Sequence, residues 1–166
     1  LKSNSDYINW NIIEEHLCFK LHENAKKFYS HIIKEHNSHH IIKFRTKAII
    51  ADDFIKSYEN PDFINWLADF ELNDIELYNI IQNDEQYLCN FFDERFYGWT
   101  GGNNFGKRMC IGSFYTDIGD VLIIFNNDTG KFEFNDCGYG YFPKYEDNPW
   151  GIIADNTDEF FDGLIT

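Results

Sequence analysis

With 166 residues, 43% of them hydrophobic and 19% aromatic against only three prolines, the chain is long enough to bury a core of its own and too apolar to remain disordered. Its formal net charge of −14 is unevenly spread: residues 1–60 carry nine Lys/Arg against eight Asp/Glu, whereas residues 61–166 carry five against twenty. Such a field disfavours nucleic acid and anionic membrane as partners and raises the encounter rate with a basic protein, and the longest apolar runs are far too short to span a bilayer.

In chain order, Ile12, Ile13, Leu17, Leu21, Phe28, Ile32 and Ile33 recur at three-to-four-residue spacing, which predicts one amphipathic helix over 12–34. A polar turn follows at His36 to His40, then short strands over 41–44 and 48–50. Asn60-Pro61 marks a boundary, and single-faced apolar patterns predict helices over 62–68, 74–81 and 85–92. After the Gly/Asn loop at 97–106 the period changes to two. Strands are expected over 109–114, 120–125 and 131–135, the last two joined by an Asx/Gly turn suited to a hairpin. A final strand over 150–154 leads into a helix capped by Asp155 or Thr157, with Phe160, Phe161 and Leu164 on its buried face. The order of elements indicates a single α+β domain over 1–166, an antiparallel β-sheet flanked by helices with a helical insertion in the middle of the chain.

Several segments imitate catalytic or metal chemistry. Residues 101–108 match a phosphate-binding Gly-x4-Gly-Lys loop except at the last position, where Arg108 replaces the Ser/Thr that would hold magnesium and a β-like run replaces the required helix. His31, His36, His39 and His40 are near one another in sequence but lack a second ligand cluster. Asn126, Asp128 and Gly130 suggest a calcium loop, yet Cys137 stands where its closing Glu belongs. Paired carboxylates are too abundant to single out a dyad, and Ser113 lacks a nucleophile elbow. Cys18, Cys89, Cys110 and Cys137 are widely spaced, without a Cys-x-x-Cys, and read as small core hydrophobes of a reduced, cytoplasmic protein. No catalytic residue, metal site or cofactor is therefore assigned.

The stretch Ile111-Gly112-Ser113, Gly119-Asp120-Val121, Asp128-Thr129-Gly130 and Ile153-Ala154 to Phe161, preceded by Ile13-Glu14-Glu15-His16-Leu17, Leu21 and the Phe28 segment, resembles the SUKH superfamily of bacterial toxin-immunity proteins and a fungal cell-wall-synthesis regulator. His22 stands where that family usually has Pro, and residues 45–105 have no clear counterpart. The resemblance implies a break between two N-terminal helices. It also implies a non-enzymatic protein that neutralises a cognate toxin, a basic nuclease being the example, by stoichiometric occlusion, without nucleic acid, membrane or small-molecule substrate as partner. The alternatives are a housekeeping adaptor of the same fold and a small hydrolase or nucleotide-binding enzyme. For the partner surface, acid and aromatic residues coincide at Asp136, Tyr139, Tyr141, Tyr145, Glu146, Asp147 and Trp150.

Overall fold

A computed structural model of the chain describes residues 8–36, 39–46, 74–115, 121–136 and 150–165. The readings of a strand over 48–50 and a helix over 62–68 lie outside these residues, as does most of the expected insertion. Among the described residues four helices, α1 (Trp10–Leu17), α2 (Glu23–His36), α3 (Glu85–Tyr97) and α4 (Thr157–Asp162), accompany seven strands. The strands are β1 (Ile41–Thr46), β2 (Asp74–Tyr78), β3 (Arg108–Tyr115), β4 (Val121–Asn126), β5 (Phe132–Asp136), β6 (Gly151–Ala154) and β7 (Leu164–Ile165). They form one antiparallel sheet in the order β6-β5-β4-β3-β2-β1-β7, curled into a half-barrel. The α+β expectation holds.

Alternation along the strands decides what the sheet buries. Ile42 and Phe44, Ile75 and Leu77, Ile123 and Phe125, and Phe132 and Phe134 point into one core with the helices. In β3 the register shifts between Cys110 and Gly112, so the extra residue Ile111 and its neighbours Met109 and Phe114 all reach that core. Gly112 has no side chain because β2 passes too close: a Cβ there would collide with the Glu76 carbonyl. Ile124 is also fully buried, on the opposite face, together with Cys110, Asn126, Glu133 and Asn135. Burial on both faces is why β4 reads as a continuous apolar run instead of alternating.

Phenylalanine rings dominate the helix-side core. Phe28 of α2 meets Phe132, Phe160 and Phe161, and Phe160 stacks on Phe132 with centroids 4.5 Å apart. These contacts tie α2 and α4 to β5, each pair adding about 0.5–1.5 kcal/mol beyond area burial.

Two helical expectations are corrected. The single helix over 12–34 is two, because Cys18 turns left-handed (φ 66°) and ends α1. The break is held by side chains on either side of it: the buried Glu14 carboxylate accepts the Leu21 N–H at 2.7 Å and pairs with Lys26, and His22 Nδ1 accepts the Asn24 N–H as a cap on α2. The predicted helix over 74–81 is strand β2. Ile75, Tyr78 and Ile81 satisfy a helical spacing, but Ile75 and Leu77 also satisfy a period of two, and pairing with both β1 and β3 settles the choice. The helix predicted over 85–92 extends through Tyr97, started by the Asp84 cap on Tyr87 N–H. The cap of α4 is Asn156, not Asp155 or Thr157; Thr157 Oγ1 donates instead to the Asn24 carbonyl at 2.6 Å. No helix among the described residues is long and apolar enough to cross a membrane.

Candidate functional site

The two ends of the sheet are built differently. At one end the chain turns tightly or enters a helix: β2 leads into α3, β4 turns into β5 at residues 127–131, and β6 leads into α4. The β4–β5 turn is occupied with holding the fold together. Asn126 Oδ1 accepts the Asp128 and Thr129 N–H groups while its Nδ2 donates to Glu133. Asn127 Oδ1 accepts the His22 N–H and its Nδ2 donates to the Lys20 carbonyl, so one amide grips the link between α1 and α2 from both sides. Asn24 Nδ2 donates to the Gly130 carbonyl, and a Cβ on Gly130, whose φ is +75°, would strike the His22 ring. With both amide groups of Asn126 engaged and strands on either side, the turn is a clasp and not a calcium loop.

The opposite end collects the remaining strand termini. Arg45 pairs with Asp74, Asp74 with Tyr115, Phe114 with Val121, Val121 with Asp136, Phe134 with Gly151, and Thr46 with Leu164. Residues 47–73, 116–120 and 137–149 therefore all join strand ends on this one side of the sheet. By sequence they contain ten Asp/Glu against three Lys/Arg, and nine aromatic residues. Asp136 closes β5 here, opposite Val121. Tyr139, Tyr141, Tyr145, Glu146 and Asp147 lie outside the described residues.

Trp150, the last of the seven residues singled out above, precedes β6 and is half-buried. Its ring meets Phe105 at 5.2 Å and Trp99 at 6.0 Å, both edge-on, and the Arg108 guanidinium lies 4.1 Å from its centroid. Arg108 Nε donates to the buried Glu133 carboxylate at 2.8 Å, and its Nη1 to the Phe105 carbonyl. Glu133 also accepts from Asn126. A buried carboxylate needs such partners, since removing one leaves an uncompensated charge. Trp150 thus anchors the root of the 137–149 segment to the loop at 99–107. That loop has positive φ at Gly101, Gly102 and Gly106, and β3 begins at Arg108, so no helix N-terminus is available to aim amides at a phosphate.

Sequence reasoning found Trp150 but not its setting. Arg108 and Glu133 sit on strands separated by β4, and no local pattern links them. His31, a candidate ligand by sequence, packs on Phe161 with centroids 4.3 Å apart. Among the described residues no group of three or more His, Cys, Asp or Glu is placed to hold a metal ion. No protein-family model, curated protein or solved structure matches the chain.

Proposed function

We propose that the chain is an immunity-type protein that binds a cognate bacterial toxin domain, basic in character, and neutralises it by stoichiometric occlusion without turnover. The observation that carries this reading is that the strand ends joined by residues 47–73, 116–120 and 137–149 lie together at one end of the sheet, while those residues hold ten acids against three bases. Acid on that scale steers a cationic partner and fixes its orientation, whereas aromatic side chains beside it supply the contact area that holds it. The proposed contact residues are Asp136, Tyr139, Tyr141, Tyr145, Glu146 and Asp147, with Trp150 keeping their segment rooted through its contacts with Arg108 and Phe105.

The test begins with the tagged chain as bait in lysate of the source cells, followed by purification of the captured partner and an assay of its toxicity. The reading expects a basic partner whose toxic activity falls to zero at one equivalent of the chain. A partner with no toxic activity, or inhibition that increases with time at sub-stoichiometric amounts, would contradict it.

A further inference from the structure

The two edges of the seven-stranded sheet end differently. At one edge β6 pairs with β5 through a register shift and runs into α4, and both features blunt an edge against further pairing. At the other edge β7 is only two residues long and pairs with β1 at Arg45 and Thr46 alone. Residues 41–44 of β1 therefore have no strand beside them among the described residues. The gap is about 13 Å long.

The gap has a defined chemistry. The His40 carbonyl accepts the Asn79 N–H at 2.9 Å, so the backbone groups of His40, Ile42 and Phe44 turn towards β2, and by alternation those of Ile41, Lys43 and Arg45 turn away from it. Ile165 of β7 stands opposite Arg45, which leaves the N–H and C=O groups of Ile41 and Lys43 aimed into the gap. Side chains add selectivity. Ile42 and Phe44 are buried in the core, whereas Ile41 and Lys43 lie on the other face together with Ile165. Ile41 and Ile165 are 42% and 38% exposed, two of the four exposed large hydrophobics among the described residues, and they bracket the gap. Between them Lys43, its side chain 79% exposed, reaches Glu76 of β2 at 3.8 Å and meets no acid on the side of the gap among the described residues.

We infer that residues 41–44 are a docking edge for an extended peptide segment of a partner protein, added antiparallel to β1 in line with β7, with an acidic side chain opposite Lys43 and an apolar one opposite Ile41. Main-chain hydrogen bonds to Ile41 and Lys43 hold the strand, and the side chains select it. A lysine on an open edge guards against indiscriminate pairing: it repels a basic strand and accepts an acidic one. The same edge of a second copy presents Lys43 and Arg45 and supplies no acid. This edge lies across the sheet from β6 and Trp150 and is independent of the partner surface proposed above.

The test follows the backbone amide resonances of Ile41 and Lys43 in the intact protein as synthetic peptides are added. Acetyl-Val-Glu-Val-Ile-Thr-amide puts its Glu opposite Lys43 and its Ile opposite Ile41, and should shift both resonances saturably. Replacing its Glu by Lys should weaken binding about fivefold, and the Lys43→Gln protein should bind the two peptides equally. N-methylation separates strand pairing from simple adhesion. Methyl groups on the Glu and Ile nitrogens, which face β1, should abolish binding, whereas methyl groups on the two Val nitrogens, which face away, should leave most of it. The inference is overturned if neither resonance moves, if the Lys peptide binds as tightly as the Glu peptide, or if the two N-methylated peptides bind alike. Resonances that move with protein concentration alone would also overturn it, by giving the edge to a second copy.

Discussion

Two buried side chains make stability depend on alkaline pH. Burial pushes the Cys110 thiol from its ordinary 9.0 up to about 11, against weaker lowering by a backbone hydrogen bond with Gly112 and by Arg95. Burial likewise raises the Tyr29 phenol above its ordinary 10.0. For both groups the folded state holds its proton after the unfolded state has released it. The linked stability is therefore complete below pH 9 and is lost as pH rises through the folded values. For Cys110 this amounts to about 2–3 kcal/mol between pH 9 and 11. Urea unfolding across pH 7–11 should show a plateau to about pH 9 and then a fall, and Cys110→Ala should flatten its first part. The same burial orders thiol reactivity: Cys18 is exposed whereas Cys89 and Cys110 are buried. Among these three, alkylation of the native protein should label Cys18 first, as peptide mass mapping would register. Asn127 is the other residue with a large expected effect, because its amide alone serves both the Lys20 carbonyl and the His22 N–H. Asn127→Ala should cost about 1–3 kcal/mol in urea unfolding. An unchanged midpoint would show that the clasp does not hold α1 and α2 to the turn.

At the scale of elements, packing of α2 and α4 on β5 centres on Phe132, which is fully buried and touches Phe28, Phe125 and Phe160. Phe132→Ala should destabilise the fold by about 3–5 kcal/mol, measurable by denaturant or thermal unfolding. What was legible in the sequence follows from the same physics. β3, β4 and β5 were readable because β-branched and aromatic residues fill them and an Asx/Gly turn joins two of them. β2 was not, because five residues fit both periods and its two neighbouring strands decide the matter. The break at Cys18 escaped periodicity because a left-handed non-glycine residue has no local signal and its supports, Glu14 across the break and Asn127 from the β4–β5 turn, follow no helical period. β7 was missed because two residues gain strand character only from pairing with β1.

At the scale of the molecule, the coincidence of acid and aromatic residues near Trp150 was visible in the sequence, but its neighbours were not. Only strand register reveals that the ends flanking residues 47–73, 116–120 and 137–149 share one side of the sheet. The three connections carry about half of the net charge by sequence, so the proposed binding of a basic partner there would be sensitive to salt. This also makes one set of substitutions informative, since Asp136 closes β5 and Glu146 and Asp147 belong by sequence to the connection that follows it. The direct measurement is the association rate of the purified toxin domain with the chain as ionic strength rises, for the native protein and for the Asp136→Lys, Glu146→Lys, Asp147→Lys triple variant. A charge-steered inhibitor should associate at least about tenfold more slowly at high salt than at low, and the variant should lose most of that dependence while unfolding at an unchanged midpoint. An association rate indifferent to salt, or a triple variant that binds as fast as the native protein, would contradict the account.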